Sequence, residues 1–316
     1  MLFRSKTGEA DGVKEQSFEK AFNTTSATTG GDVVPDIFNR NLLTLLRDNV
    51  VMRSLCSVVQ TANPNYIQPV AKAGTIANWG AEGGAVNETA TDSFAQITFN
   101  SGKVHANPRV TTESIHDIFF NVEPYVVGQM VDAFARAEDS AFLTGDGVNK
   151  PTGLLTATLD TASDLTRAFG TFQKLEDTTA NVQTKIIDMI MDAQAEMKAG
   201  YSKVLMMNAK TLVSMKKLKD TQGRYLVDTI PQDGYAARIA GIPVVLNPLM
   251  PDVADGNTPV ILGDFSKGYT ILDIQNASIT RNPYSNPGFV SFYAEKRVGG
   301  GFTDSQALKF ITCAAV

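Results

Sequence analysis

Residues Asn121 to Gly153, NVEPYVVGQMVDAFARAEDSAFLTGDGVNKPTG, read as one long helix with defined ends followed by a glycine-rich stop. Asn121 is a capping residue. Glu123 and Pro124 suit the first turn, where a carboxylate meets the positive end of the helix dipole and a missing N–H costs nothing. Val126, Met130, Phe134, Ala137 and Ala141 recur at helical spacing, widened by Val127, Val131 and Phe142. Gln129, Asp132, Arg136 and Asp139 fall on the polar side. A helix of about 20 residues runs roughly 30 Å, the width of a small domain. Gly145, Asp146 and Gly147 then offer the positive-φ freedom a reversal needs, and Pro151 and Gly153 stop the helix from resuming. The spacing predicts a structural spine.

On the N-terminal side of the spine the composition changes twice. Residues 1–31 are polar, rich in Gly, Thr and Ser, and weakly patterned, which predicts an arm rather than a packed element. From Asp32 the pattern tightens, and Ile37, Leu42, Leu45, Leu46, Val50 and Leu55 predict helix with a break near Asp48-Asn49, followed by a short strand at Ser57–Thr61. Residues 62–108 are different again. Tyr66–Val70 and Phe94–Val110 read as two strands around AGTIANWGAEGGAVNETATDS, a stretch of small and polar residues with the only tryptophan, Trp79. Such a hairpin has too few apolar residues for a core of its own, and its edges would be exposed on a monomer. A neighbouring molecule must cover it. This is the strongest physical sign that the protein assembles.

After the spine, a helix is expected within Leu165–Met197, a short apolar strand at Val204–Asn208, a second helix at Ala209–Asp220 and a turn at Gln222–Leu226. Gly241–Val245 and Val260–Asp264 read as further strands, giving an α/β portion with helices covering a sheet. Strand patterning returns at Tyr269–Ile274, Ala277–Arg281 and Phe289–Arg297, and an apolar segment closes the chain at Ala307–Ile311.

Composition excludes several classes of function. At 316 residues and 43% apolar content the chain can bury a large core, in two substructures. No apolar run approaches the roughly 18 residues of a membrane helix, and residues 1–30 lack a signal-peptide core. Cys56 and Cys313 lie in apolar contexts and read as two buried thiols. A net charge of −5, without a dense basic patch, argues against tight nucleic-acid binding.

Chemistry is equally sparse. His105 and His116 have no cysteine or carboxylate at ligand spacing, so no metal or other cofactor is expected. No G-x-S-x-G elbow occurs, and GDGVNKPTG lacks phosphate-loop spacing and follows a helix instead of preceding one. Asp188, Asp192 and Glu196 form a solvated helix stripe. The residues point to no enzyme activity.

A set of short stretches carries a family resemblance. Gly30–Pro35, Ala81–Gly84, Phe142–Gly147, Lys150–Gly153, Asp220–Leu226, Gly241–Val245, Gly263–Phe265 and Glu295–Arg297 occur in this order at the expected spacing, over roughly residues 30–312. Each is weak alone. Together they resemble the major capsid proteins of tailed bacteriophages, with the Hong Kong 97-type fold. The resemblance implies an α+β chain with an N-terminal arm (1–31), an extended β-hairpin loop (62–108), and a peripheral domain built from 32–61, 109–153 and 269–304 that carries the spine helix. It also implies an axial domain from 154–268, to which 305–316 returns. Contacts between subunits would involve the loop tip, at Trp79, Glu82, Gly83, Gly84, Val86 and Phe94, while Gly145, Asp146, Gly147, Pro151 and Gly153 form the structural turn after the spine.

Functionally, the resemblance implies homo-pentamers and homo-hexamers forming an icosahedral virion shell, assembled in the bacterial host cytoplasm around double-stranded DNA without sequence-specific binding. The expected partners are a portal, a separate scaffolding protein, since only about 30 residues precede the folded part, and in some cases a decoration protein; no membrane is involved. An encapsulin-type nanocompartment shell of the same fold is the alternative. Some family members join a loop lysine to a neighbour's asparagine beside a glutamate. Here Ala81–Ser93 holds no lysine and the asparagine's place falls on Gly288, although Glu295 is kept, so no such crosslink is expected.

Overall fold

The computed structural model describes residues 50–64, 66–72, 77–79, 93–117, 121–164, 166–177, 182–219, 223 and 237–313. Helix α3 (Val122–Thr144) is the predicted spine. Asn121 holds an extended conformation and its side chain accepts the Glu123 N–H at 3.3 Å, closing one orphan donor of the first turn. Met130 and Phe134 face a sheet in which β1 (Ser57–Gln60), β12 (Tyr269–Asn282), β13 (Phe289–Phe302) and β4 (Asn100–Ala106) lie in that order, with β5 (Arg109–Thr111) also on β13. Val290, Phe292 and Ala294 of β13 receive the helix, and Val104, Val110, Val126 and Val127 complete that small core. The β1–β12 pairing is parallel and the others are antiparallel.

A second sheet holds β6 (Leu159–Asp160), β7 (Phe172–Asp177), β14 (Leu308–Cys313), β11 (Val260–Gly263), β8 (Val204–Met207), β10 (Ile242–Leu246) and β9 (Ala237–Ile239), in that order. Its inner strands are near-continuous apolar runs because both faces are covered. On one face α4 (Val182–Glu196) and α5 (Ala209–Lys216) supply Ile186, Ile190, Leu212 and Met215 against Leu205, Val244, Val260 and Ile311. On the other, Met206, Ile261 and Phe310 join Phe142 and Leu143 from the end of the spine, Leu154, and Tyr269 and Ile271 of the first sheet. The two sheets thus share a core at the end of α3. Short helices α1 (Met52–Leu55), α2 (Thr112–Asp117) and α6 (Phe265–Gly268) fill connections.

Four sequence expectations are corrected. Phe94–Val110 is not one strand but three. β3 (Phe94–Thr98) pairs with β2 (Ile67–Ala71), the chain changes sheet at the buried Phe99, and Pro108, which has no N–H for a ladder, separates β4 from β5. The last strands run longer than predicted, 14 residues each, because irregular register between Asp273 and Ser278 bulges β12 without ending it. The region Leu165–Met197 also carries β7, whose sequence FQKLED hides an element that pairs with β14 through its backbone. On the spine, Val131 and Ala137 are exposed, and Asp139, expected on the polar side, is buried. The helix expected upstream of Asp48-Asn49 lies outside the described residues, as does most of the turn at Gln222–Leu226.

Candidate assembly surfaces and the junction behind them

The β2–β3 hairpin is a sheet of only two strands. Gln68, Val70, Ala95 and Ile97 are half-buried, whereas Ile67, Pro69, Ala71 and Phe94 share an exposed face, with Phe94 75% open to solvent. Trp79 is fully exposed. A two-stranded ribbon with an apolar face in water is marginal on its own. Glu82, Gly83, Gly84 and Val86 lie outside the described residues, so of the predicted tip contacts the structure places Trp79 and Phe94. A further bare aromatic, missed in the sequence, is Tyr284, 92% exposed in the turn between β12 and β13. The Asn282 carboxamide accepts the N–H groups of Tyr284 and Ser285 at 2.9 and 3.2 Å, so that turn is pre-folded.

The predicted turn after the spine is a packed junction. Among its glycines only Gly147 has positive φ, at 78°, and Asn149 joins it at 55°. Gly145 and Gly153 are extended, and they are glycines because of close approach. A Cβ on Gly145 would sit 2.2 Å from the Pro151 carbonyl oxygen, and one on Gly153 would sit 2.4 Å from the Gly145 nitrogen. Gly153 N–H donates to Gly145 O at 2.8 Å, and Asp146 Oδ1 accepts the Val148 N–H at 3.0 Å. That N–H, with Lys150 beside it, holds the Asp146 carboxyl below its usual range. The loop is pinned to the first sheet: Asn100 Nδ2 donates to Thr152 Oγ1, the Tyr269 hydroxyl donates to Thr152 O, and Gly102 lets β4 lie against Asn149. The reversal locks helix to sheet.

Behind it sits an ionic cluster that the sequence did not reveal. Glu138 and Asp139 are 3% and 2% exposed. Asp139 Oδ1 accepts the N–H groups of Val51 and Met52 at 3.2 and 2.9 Å, so the spine caps the start of α1. Burial raises the Asp139 pKa, and these N–H donors with the Asn247 side chain oppose the rise. Glu138 meets Arg53 Nη2 at 2.6 Å and Lys296 Nζ at 2.7 Å. Arg53 also forks onto both oxygens of Asp273 at 2.9 and 2.8 Å, and this pairing pulls the Asp273 pKa down despite burial. One cluster therefore ties α1, α3, β12 and β13. Cys56 lies nearby, its thiol pushed up to about 12 by burial first and the Asp139 charge second. Both cysteines are buried thiols.

Remaining titratable groups are also structural. Lys309, fully buried on β14, donates to Asp164 Oδ1 at 2.6 Å and to Gln173, and burial lowers its pKa. Asp164 is shared with Arg167, which also donates to the carbonyls of Ala162, Thr171 and Ser305. Glu295 is held by Lys103 and the Tyr293 hydroxyl, which depress its pKa, while Gly288 turns with φ at +81°. Among the described residues no group of three or more His, Cys, Asp or Glu could hold a metal ion, and no helix is long and apolar enough to cross a membrane.

Comparison with known proteins matches residues 30–313 to the model of the phage capsid family. A major capsid protein of Escherichia phage T5 is 26% identical over 246 residues, which are 75% of this chain and 52% of that protein. One of Klebsiella oxytoca phage phiKO2 is 27% identical over 75% of this chain and 55% of its own length. The chain spans about half the length of these curated relatives. Among solved structures, the capsid of the native GTA particle computed with C5 symmetry superposes with a TM-score of 0.80 at 31% identity, over 93% of this chain and all of that one. A solved structure from Microbacterium phage Oxtober96 matches at 14% identity, with a TM-score of 0.68, over 91% of this chain and 99% of its own, and shows the fold alone.

Proposed function

This chain belongs to the phage capsid family, and from that premise we propose that it is a structural major capsid protein. Its copies assemble as homo-pentamers and homo-hexamers into the icosahedral shell of a tailed phage head enclosing double-stranded DNA. The observation that carries the reading is the hairpin arm, a two-stranded ribbon with Ile67 and Phe94 exposed on one face and Trp79 exposed in the segment between its strands, with no cover for them among the described residues. Cover for it comes from a second copy. The first sheet with the spine acts as the peripheral domain (32–61, 109–153 and 269–304), and the seven-stranded sheet acts as the axial domain (154–268 with 305–316). Contacts repeated around closed rings give a stable shell even when each is modest. A net charge of −5 suits a container that must not grip its DNA. A separate scaffolding protein and a portal complete the particle, joined in some phages by a decoration protein, and the shell subunit itself performs no catalysis.

Trp79 provides the test, because it is the only tryptophan. Light scattering and negative-stain microscopy of the protein, alone and with its candidate scaffold, should show uniform shells or capsomer rings, with a blue shift of the Trp79 emission as they form. A chain of 34.0 kDa that stays monomeric under both conditions, its emission unchanged, overturns the reading.

A further inference from the structure

The hairpin arm touches its own chain at both ends of its paired section. At the root, Tyr66 and Phe99 face each other with ring centroids 5.4 Å apart, and the Phe99 N–H donates to Tyr66 O. Phe99 is 5% exposed and fills space that Gly301 leaves in the first sheet, where a Cβ would come within 3.1 Å of its ring. At the far end the Lys72 N–H donates to Ser93 O at 2.8 Å, and the Lys72 ammonium stands 5.4 Å from the centre of the Phe169 ring. Side chains alternate along a strand, so Lys72 continues the half-buried face of Gln68 and Val70, opposite the exposed Ile67, Pro69 and Ala71. About six residues of extended chain, roughly 20 Å, separate the two holds.

Phe169 belongs to the connection between β6 and β7, and polar groups mount that connection rigidly. Arg167, its side chain 2% exposed, pairs with Asp164 and donates to the carbonyls of Ala162, Thr171 and Ser305. Asp164 also receives the fully buried Lys309 of β14 at 2.6 Å. The N–H groups of Thr166 and Arg167 both close on Ser163 O, and the Thr171 hydroxyl and N–H close on Ala168 O. None of these bonds needs an aromatic neighbour. Yet Phe169 stands at the turn, 41% exposed, just before Gly170 at φ +87°. It is a ring held out on a stiff mount.

We propose that Phe169 is a positioning residue that sets the direction of the hairpin arm, bracing it at Lys72 before a second copy is present. A rod held at one point swings, whereas two points about 20 Å apart define a line. The lysine stem lies along the ring while its charge stays in water. A lysine over an aromatic ring at an exposed site favours the held arrangement by about two- to fivefold. Aiming the arm in advance removes part of the ordering cost of docking. The buried Lys309–Asp164–Arg167 network then has a task, which is to stiffen the mount. The inference rests on the shell reading for what the arm is aimed at, and adds the part of the chain that aims it.

Pulsed electron spin resonance on the unassembled protein tests it. Spin labels at Gln96→Cys on β3 and Ala195→Cys on α4 occupy exposed positions, and the native thiols are buried. Wild type should give one dominant distance. Phe169→Ala and Lys72→Gln should each lower the weight of that distance against the remainder by about two- to fivefold, and Phe169→Tyr, which keeps the ring, should retain it. All three should keep the wild-type melting temperature, because both side chains lie at the surface. A broad distribution in wild type, or an unchanged one in Phe169→Ala and Lys72→Gln, overturns the brace and leaves the shell reading standing. The labels are read before assembly, so a wild type that forms no particles even with its scaffold overturns the shell reading while the distances still decide the brace.

Discussion

Replacing Asp139 tests whether the buried ionic cluster, and not the apolar stripe alone, fixes the spine in place. The side chain is 2% exposed and accepts two backbone N–H groups at the start of α1, at 3.2 and 2.9 Å. Asp139→Ala orphans both donors in a site with little solvent access. At about 1–3 kcal/mol for each unsatisfied buried group, the loss is about 2–6 kcal/mol, with the lower end applying if water enters the space left. For a chain of this length each kcal/mol moves the melting temperature by about 1.5 °C, so a fall of roughly 3–9 °C is expected in thermal unfolding of the unassembled protein. Asp139→Asn keeps one acceptor oxygen and should lose less. The pH dependence has a defined sign. Burial raises the folded pKa of Asp139, so its contribution is fully present below the unfolded carboxylate value and is lost as pH rises through the raised folded value. The cost of Asp139→Asn should therefore grow as pH falls from neutral toward 4. An Asp139→Ala protein that melts within a degree of wild type would refute the capping role.

Asp273→Asn should behave in the opposite sense. Arg53 depresses the folded pKa of Asp273, so that contribution is present above the ordinary carboxylate range and is lost as pH falls through the depressed value; the substitution costs most at neutral pH and little in acid, read by the same thermal unfolding. Gly102→Ala drives a Cβ to 2.0 Å from the Asn149 carbonyl oxygen, a backbone clash costing about 1–3 kcal/mol or more, whereas Gly128→Ala on the spine meets nothing within 4 Å and should gain about 0.5–1 kcal/mol from helix propensity. Chemical denaturation of the two variants side by side checks the contrast. Boiled and reduced particles should run as a single band at 34.0 kDa, because the family resemblance puts Gly288 in the place of the asparagine that some members crosslink, and Lys103 is engaged with Glu295 inside its own chain; a ladder would contradict this.

The spine was legible because its signals are local. A cap at Asn121, a carboxylate in the first turn and a glycine-rich stop from Gly145 lie within one stretch of chain, and apolar periodicity reports a face covered by one neighbour. The buried strands at Val204, Ile242 and Val260 were legible for a similar reason, since strands covered on both faces become apolar runs. What failed shares one cause. Asp139 read as solvated, and Glu138 drew no notice, because their partners lie far away in sequence: Met52 is 87 residues from Asp139, and Arg53 is 85 from Glu138. β7 looked polar because its place depends on backbone pairing with β14, and Lys309 sits inside β14 only because Asp164 and Gln173 meet its amine. The glycines of the junction were noticed for their freedom, yet Gly145 and Gly153 are there for lack of a Cβ, a property that needs the neighbouring backbone to be seen.

The contrast between junction and arm explains what the chain does with its polar groups. Buried ion pairs seldom add much net stability over apolar packing, since desolvation consumes the Coulombic gain, but they tolerate few alternative arrangements. Here they fix the angle between the spine, α1 and the two long strands, and the tight approaches around Gly102, Gly145 and Gly153 fix the spine's end to the same sheet. The hairpin, by contrast, keeps Trp79 and Phe94 in water and pairs its two strands only with each other among the described residues. In the proposed assembly, a rigid body lets a bare arm meet its neighbour at a defined rotation, as closing a ring requires. If the body flexed, an arm reaching a second copy could find cover at many rotations, and ring size would not be confined to five and six copies. With the body fixed, the proposed contact between arm and neighbour is confined to the few rotations that pentamers and hexamers need.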